Sequence, residues 1–283
     1  MKKSINIWSF PAEWSLERKV KTAAEAGFAG FEPDLTEDGP LNLKSTAGEV
    51  REAGRLIRSH GLEVSALATG LYWGANGASD KPAVRRSAAR ILRKQIETAA
   101  RLETDAILVI PGAVGADFIP NCEVVPYDLA WARAIELIGE ALPLARRYGI
   151  SLSIENVWNK FLLSPLEMVS FIDGFNDPCV GAYFDVGNAL ATGYPEQWIR
   201  ILGPRIRRIH FKDYRRAVGS VDGFVDLLSG DVDWPAVMTA LKSIEYGGWI
   251  AAEMIPPVPF YKHCPETLIE NTSRALDGIF ALA

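Results

Sequence analysis

Four side chains that could bind a metal ion stand at the ends of four consecutive hydrophobic segments in the second half of the chain. The segments are 151–155, 180–185, 206–211 and 249–253, and the side chains are Glu155, Asp185, His210 and Glu253. Two glutamates, an aspartate and a histidine form an oxygen-rich ligand set that suits Mn²⁺, Mg²⁺, Co²⁺ or Zn²⁺, and the sequence leaves this choice open. Any one of them alone could equally be a helix cap or an ion-pair partner. Four at successive segment ends, in a chain with only three histidines, indicate a site for one divalent metal ion.

Short segments typical of β-strands alternate with longer helical segments along the whole chain. The earlier strands are predicted at 4–10, 30–33, 62–67 and 106–110, and helices at 16–26, 46–60, 81–102 and 127–148. Gly27, Gly61, Gly149 and Gly248 each precede a strand, as C-caps of the preceding helix would. Eight such units predict an α/β fold, the (β/α)8 TIM barrel, as a single domain over residues 1–283. A doubly wound sheet is the alternative, but the first predicted strand is not followed by a glycine-rich phosphate turn.

A barrel would place the four candidate ligands at one end. Catalytic groups in this fold lie at the C-terminal ends of the strands and in the loops that follow. In the segment 151–155, Leu152 and Ile154 alternate with Ser153 and Glu155. We expect the apolar pair to pack on the helices, so that Glu155 faces the barrel mouth.

The composition excludes several classes of protein. The chain has 283 residues, 48% of them hydrophobic, with a formal net charge of −5. We expect no nucleic-acid partner, because a mildly acidic protein repels phosphates. We expect no membrane partner, because no apolar segment approaches the ~18 residues of a span. The N-terminal segment is interpreted as a strand rather than a signal peptide, and Cys122, Cys179 and Cys264 as reduced thiols, so a cytoplasmic location is predicted.

Five motifs between residues 149 and 257 resemble those of a known family. They are SIENVWNKFLLSP at 153–165, FDVGN at 184–188, HFKD at 210–213, GDVDW at 230–234 and AEM at 252–254. This set is similar to the xylose-isomerase-like sugar (phosphate) isomerases and epimerases. Within that family, the chain resembles ketose 3-epimerases of the tagatose 3-epimerase and L-xylulose-5-phosphate 3-epimerase type.

The resemblance implies a metal-dependent isomerase that inverts C3 of a ketose or ketose phosphate. It makes Glu155, Asp185, His210 and Glu253 the ligands of one divalent metal ion, and Glu155 and Glu253 the catalytic acid/base pair. Elementary chemistry agrees, because removing the C3 proton beside a C2 carbonyl gives an enediolate whose charge a cation stabilises. Inversion then needs a base on one face of the sugar and an acid on the other, which two glutamates can supply.

Seven residues are candidates for binding the sugar or sugar phosphate: Glu32, Trp158, Lys160, Asn188, Lys212, Arg215 and Arg216. Tagatose-type epimerases usually have a histidine at the position of Asn188. Asn188 and the HFKD motif resemble the phosphate-sugar branch better, which favours a phosphorylated substrate. Lys212, Arg215 and Arg216 could hold a phosphate or a hydroxyl, although the two arginines could equally form a solvated basic loop.

Several other residues have a predicted position but no predicted role in catalysis. Trp8, Tyr72 and Trp73 are expected near the pocket, where aromatic rings suit the apolar faces of a sugar. The segment 112–126 is long enough to be a lid. His60 is interpreted as a helix C-terminal residue and His263 as solvent-facing. The family resemblance makes a homo-dimer or tetramer possible.

Other functions are compatible with the same fold or the same four candidate ligands. An aldose–ketose isomerase or a keto-polyol dehydratase could use the same four ligands, because both begin with proton abstraction beside a carbonyl. A hydrolase of the endonuclease IV type needs many histidines for its zinc ions, and this chain has three. A sugar-binding barrel without activity is disfavoured because all four ligands are present.

Overall fold

Eight parallel strands form one curved sheet in the computed structural model, which describes residues 1–254 and 263–282. They are β1 (Lys2–Asn6), β2 (Gly30–Glu32), β3 (Glu63–Val64), β4 (Ala106–Val109), β5 (Ser151–Glu155), β6 (Val180–Asp185), β7 (Ile206–Phe211) and β10 (Trp249–Ala252). Their spatial order is β3-β2-β1-β10-β7-β6-β5-β4. Leu67 joins the two ends, because its N–H donates to the Ala106 carbonyl and its carbonyl accepts from the Leu108 N–H, both at 3.1 Å. The predicted (β/α)8 barrel is confirmed.

Helices follow the strands and cover the outside of the sheet. They are α1 (Leu16–Glu25), α2 (Ala47–Ser59), α3 (Pro82–Leu102), α4 (Tyr127–Tyr148), α5 (Pro165–Asp173), α6 (Val186–Leu190), α7 (Pro195–Leu202), α8 (Trp234–Ser243) and α9 (Pro265–Phe280). A short antiparallel pair, β8 (Asp213–Tyr214) and β9 (Phe224–Val225), lies in the connection after β7. Among the described helices, none is both long and apolar enough to cross a membrane.

The strands carry apolar side chains on both faces because both faces are covered. Every residue of β4, β6 and β10 is buried, as expected of parallel strands packed between a barrel interior and a layer of helices. Helix starts are capped by the residues that the sequence offers there. Thr46 forms a capping box with Glu49 at the start of α2, and the Ser15 hydroxyl accepts from the Arg18 N–H at the start of α1.

The predicted elements differ from the observed ones mainly at strand ends. The first strand was predicted to reach residue 10 but ends at Asn6, whose side chain accepts from the Trp8 N–H and begins a 3-10 turn. Gly27, Gly61 and Gly149 have positive φ angles after their helices, as predicted. Gly248 was wrongly assigned as a helix cap, because α8 already ends at Ser243. Residues 255–257 of the region carrying the family resemblance lie outside the described residues.

Four of the five family motifs begin within β5, β6, β7 and β10, and GDVDW at 230–234 lies in the connection that leads into α8. The single-domain interpretation over residues 1–283 stays a prediction, and the eight parallel strands β1–β7 and β10 belong to one continuous sheet. Register between neighbouring strands sets the height of each side chain in the barrel. Asp185 on β6 pairs with His210 on β7, and His210 pairs with Ala251 on β10.

Candidate active site

The C-terminal ends of β5, β6, β7 and β10 bring four potential metal ligands together. Glu155 ends β5, Asp185 ends β6, His210 lies near the end of β7 and Glu253 directly follows β10. One ligand atom from each lies within 4.8 Å of the others. All four side chains are buried, with His210 and Asp185 fully inaccessible. Four segments that are far apart in the sequence therefore build one compact cluster.

The ring of His210 presents its Nδ1 atom to the three carboxylates. Nδ1 lies 3.6 Å from Glu155 Oε1, 3.6 Å from Glu253 Oε2 and 3.9 Å from Asp185 Oδ2. Within the described part of the chain, neither His210 Nδ1 nor Asp185 Oδ2 has a hydrogen-bond partner. Buried polar atoms without partners are unfavourable unless something else binds them. Nitrogen and oxygen donors facing one another in this way fit a single divalent cation.

Glu32, at the end of β2, holds the opposite edge of the His210 ring. Its Oε2 lies 2.8 Å from His210 Nε2, and its Oε1 accepts a 2.8 Å hydrogen bond from the Tyr183 hydroxyl. When Nε2 carries the proton shared with Glu32, the lone pair of Nδ1 is free to bind a metal. Glu32 therefore selects the ring nitrogen that faces the carboxylates.

Asn156 fixes the geometry between β5 and β6. Its side-chain NH₂ donates to the Asp185 carbonyl and its side-chain oxygen accepts from the Asp185 N–H, both at 2.8 Å. The Oδ1 of Asp185 accepts a 2.6 Å hydrogen bond from the Asn188 N–H and so caps α6. The bond from Asn188 occupies Oδ1, whereas Oδ2 faces the cluster, 3.9 Å from His210 Nδ1.

Burial is the largest influence on the acidic side chains of the cluster. It raises the pKa of Glu155 to about 7, against the opposing influence of the neighbouring His210 ring and with a further contribution from the Glu253 carboxylate. Burial also raises the pKa of Asp185 to about 6, against the opposing charge of Lys212. A cation would relieve this concentration of desolvated negative charge, which is a second reason why the cluster fits a metal ion.

Lys212 is the one buried cation next to this cluster that the described residues show. Its ammonium forms an ion pair with Glu253, lies 3.4 Å from Asp185 Oδ2 and stands 4.5 Å from the centroid of the Phe224 ring. Burial lowers the pKa of Lys212, but the Asp185 and Glu253 carboxylates outweigh burial and hold it above the usual value. Burial raises the pKa of Glu253, but Lys212 and His210 outweigh it and the net shift is downward.

A cavity of about 360 Å³, which we call the inner chamber, adjoins the cluster. Glu155, Glu253 and Lys212 contribute charged groups to its wall. Its aromatic walls are Trp8, Trp73, Phe118, Trp158 and Phe224. The chamber combines carboxylates that can exchange protons with ring faces that suit the C–H surfaces of a sugar.

Three of the seven predicted substrate-binding residues line the inner chamber, namely Trp158, Asn188 and Lys212. The indole N–H of Trp158 donates to the Asn188 carbonyl at 3.1 Å, which holds the ring against the chamber. The Asn188 side chain donates to the Asn156 carbonyl at 3.1 Å. Asn188 therefore contributes to the loop structure around Asp185 as well as to the chamber wall.

The other four predicted residues lie elsewhere. Lys160 and Arg216 line a second cavity beside the inner chamber. Arg215 is exposed, and its Nε donates to the Ser229 carbonyl at 3.0 Å. Glu32 lies behind His210 with both carboxylate oxygens hydrogen-bonded, which is the position of a residue that orients a ligand rather than one that contacts a sugar. The structure therefore does not bring the three predicted basic residues together.

Of the three aromatic residues predicted near the pocket, two lie there and one does not. Trp8 and Trp73 line the inner chamber. The expectation for Tyr72 was wrong, because its side chain is buried in the core and its hydroxyl donates to Gln95 at 2.8 Å. His60 is the C-cap of α2 and His263 is exposed, as predicted.

The predicted lid segment contributes a wall of the site. Phe118 lies within 112–126, lines the inner chamber and packs edge-on against Trp73 with ring centroids 5.0 Å apart. Sequence reasoning missed Phe118 because only the length of the segment was informative. It also missed Asn156 and Tyr183, although Asn156 directly follows Glu155, and Tyr183 shares the strand face of Asp185 two residues earlier.

Comparison with known proteins supports the fold. The chain is 26% identical over 184 residues to an uncharacterized protein of Methanocaldococcus jannaschii, which covers 63% of this chain and 60% of that relative. Solved structures with a similar fold include D-psicose 3-epimerase in the presence of D-fructose, with a TM-score of 0.81, 18% identity and 98% of each chain covered.

Two further structures resemble it to a similar degree. L-ribulose 3-epimerase has a TM-score of 0.79 at 18% identity and covers 99% of this chain and 94% of its own. The IOLI protein with a bound zinc atom has a TM-score of 0.78 at 17% identity and covers 99% of this chain and 98% of its own. At these identities the likeness establishes a shared fold. The model of the xylose isomerase-like TIM barrel family matches residues 20–276, and the chain therefore belongs to that family.

Proposed function

We propose that the protein is a metal-dependent ketose 3-epimerase. The observation that carries the proposal is the pair of carboxylates, Glu155 and Glu253, which both line the inner chamber and both belong to the four-residue cluster. Inversion at a carbon needs one group to remove a proton and another to return one to the opposite face. The names of the structurally similar 3-epimerases agree with this reaction class.

The reaction requires only proton movement at C3. One glutamate carboxylate takes the C3 proton of the ketose, and the electron pair of the broken C–H bond moves into the C2 carbonyl to give an enediolate. The other glutamate, protonated, returns a proton to C3 from the opposite face, and the C2 carbonyl re-forms. No oxidant or reductant is consumed, and each glutamate recovers its starting state after the reverse half-reaction or by exchange with water.

The remaining residues prepare the site for this chemistry. Glu155, Asp185, His210 and Glu253 would hold one divalent cation, which supplies positive charge beside the developing enediolate. Lys212, ion-paired with Glu253, holds that carboxylate in place and keeps it ionised. Trp8, Trp73 and Trp158 exclude water from the chamber and offer their ring faces to the sugar.

The proposal is tested by isotope exchange. Protein loaded separately with Mn²⁺, Mg²⁺, Co²⁺ or Zn²⁺ is incubated in D₂O with a panel of free ketoses and ketose phosphates. The metal is then removed with a chelator before proton NMR. We expect deuterium at C3 together with the C3 epimer. Protein treated with chelator from the start and the Glu253→Gln variant serve as matched controls, and both should leave C3 protonated.

Other outcomes identify the alternatives. Deuterium at C1 or C2 with an aldose product would contradict the epimerase and indicate an aldose–ketose isomerase on the same scaffold. Loss of water from the substrate would indicate a keto-polyol dehydratase. Absence of exchange at every carbon, with metal bound, would reject all three reactions for these sugars. The phosphate arm also tests the preference for a phosphorylated ketose that the sequence predicted. If Lys212 held the phosphate, Lys212→Ala would reduce turnover of the phosphate ester more than turnover of the free sugar.

A further inference from the structure

A larger cavity of about 560 Å³, which we call the outer chamber, adjoins the inner chamber. The two chambers share walls made by Phe118, Val157, Trp158, Asn188 and Val221. A substituent on a molecule bound at Glu155 and Glu253 would therefore enter the outer chamber beside Trp158. The inner chamber alone already has the volume of an ordinary small-molecule site, so a monosaccharide that fills it leaves the outer chamber without a role.

The walls of the outer chamber are mainly apolar. Beyond the shared residues they include Phe161, Leu162, Leu163, Trp198 and Tyr214. Leu163 is 53% exposed, which is a large exposed fraction for a leucine beside a cavity. Trp158 and Tyr214 pack edge-on with ring centroids 5.2 Å apart and form a rigid aromatic corner. Such walls gain more from an apolar ring than from a hydrated sugar.

The positive charges at the outer chamber are already engaged. Lys160 Nζ forms a 2.6 Å ion pair with Asp117, which lines the same chamber. Arg216 donates from Nε to the Leu190 carbonyl at 3.3 Å and from a terminal nitrogen to the Gly193 carbonyl at 3.4 Å. A phosphate is held by several convergent free donors. Because a carboxylate accompanies one of these two cations and backbone carbonyls accept from the other, the chamber suits a phosphate less well than a cluster of unpaired cations would.

We infer that the outer chamber binds an apolar aromatic substituent of the substrate. The substrate class is then a ketose that carries an aryl group, with the sugar in the inner chamber and the ring in the outer one. This inference rests on the proposed function, since it assumes that a ketose occupies the inner chamber. It replaces the phosphorylated sugar expected from the sequence with a sugar bearing an uncharged ring.

The inference is tested by binding rather than turnover. Isothermal titration calorimetry compares D-fructose, D-fructose 6-phosphate, and D-fructose carrying a benzyl ether at O1 or at O6, and repeats the series with D-tagatose. The protein carries the divalent metal that supports isotope exchange, or Mn²⁺ if none does. We expect one benzyl ether to bind at least about tenfold more tightly than its parent sugar, because its ring leaves water for the aromatic walls. The phosphate ester should bind no more tightly than the parent sugar.

A matched pair of variants locates the effect. Ala191 lines the outer chamber and is exposed, with a helical φ of −65° that accepts a larger side chain. Ala191→Trp should fill part of the chamber and bring the affinity ratio of benzyl ether to parent sugar close to one. Ala281→Trp makes the same change at the exposed C-terminal end of α9, outside this chamber, and should leave the ratio unchanged.

The outcomes separate the inference from the proposed function. If the parent ketoses bind or exchange at C3, but the benzyl ethers bind no better, the inference is wrong and the epimerase proposal stands. If the phosphate ester binds more tightly and Arg216→Gln removes that gain, the outer chamber is a phosphate site. If neither ketoses nor their ethers bind, both proposals fail.

Discussion

The two ends of β7 place two buried, nitrogen-bearing side chains in opposite situations. Near its start, Arg208 donates from Nε to the Ser65 carbonyl at 2.6 Å and from a terminal nitrogen to its neighbour's carbonyl at 2.8 Å, and it forms an ion pair with Asp105. Near its end, His210 is hydrogen-bonded to Glu32 through Nε2, and its Nδ1 faces three carboxylates with no hydrogen-bond partner among the residues that the structure describes.

This difference separates a structural site from a functional one. A buried charge whose nitrogen atoms all have partners, as in Arg208, stabilises one arrangement of the chain. A buried cluster with unused donor atoms and three carboxylates is unfavourable until a ligand completes it. Arg208 and His210 are both buried and lie on the same strand, so burial does not distinguish them. The atom left without a hydrogen-bond partner indicates which of the two sites binds a ligand.

Glu253→Gln should produce the largest effect at the functional end. The amide cannot take or return the C3 proton, and it weakens the charge that holds a cation. We expect the rate of deuterium exchange at C3 to fall by about 10²- to 10⁴-fold. The melting temperature should stay close to that of the parent protein, because the change removes one negative charge from a crowded acidic cluster. Unchanged exchange would remove Glu253 from the mechanism.

His210→Ala should reduce metal binding next. Removal of Nδ1 leaves only the three carboxylates as ligands, so we expect bound Mn²⁺ or Zn²⁺ after gel filtration to fall from about one ion per chain to well below it. Because the alanine also leaves Glu32 buried without its partner, His210→Gln provides a second variant of closer size. Full metal stoichiometry in both folded variants would contradict the ligand assignment.

The sequence predicted the convergence of the four candidate ligands better than it predicted their surroundings. Glu155, Asp185, His210 and Glu253 were identifiable because each ends a hydrophobic strand, and strand ends of a barrel converge. The partner of His210 was not identifiable, since Glu32 lies 178 positions away and its side chain reaches the ring across the barrel interior. The basic residues after β7 were grouped by sequence proximity, but the chain turns at β8 and sends Lys212 inward and Arg215 to the surface.

Glu32→Gln tests the functional end of β7 without changing any of the four candidate ligands, because Glu32 is hydrogen-bonded to His210. The amide keeps the shape of the side chain but loses its charge, so the ring is held less firmly with Nδ1 facing the carboxylates. We expect metal affinity to fall by about 10- to 100-fold. Tyr183→Phe removes only the hydroxyl that donates to the other oxygen of Glu32, and should cost less. Unchanged metal affinity in Glu32→Gln would mean that His210 is oriented by packing alone.

Arg208→Met should have the smallest effect on metal binding and C3 exchange, but it should lower the stability of the fold. Methionine fills much of the space of the arginine stem but leaves the Ser65 carbonyl without its donor and Asp105 without its ion pair. We expect the free energy of unfolding, measured by denaturant titration, to fall by about 1–3 kcal/mol. The contribution of Asp105 to that loss is small, because its side chain is 74% exposed.

Metal affinity and exchange at C3 should remain unchanged in the folded Arg208→Met variant. Arg208 and His210 share a strand, but the bonds of Arg208 run to Ser65 and Asp105, whereas those of His210 run to Glu32. A loss of metal affinity comparable with that of Glu32→Gln would show that the two ends of β7 are coupled. In that case Arg208 could not be treated as a purely structural residue, and its role could not be separated from that of His210 in binding a ligand.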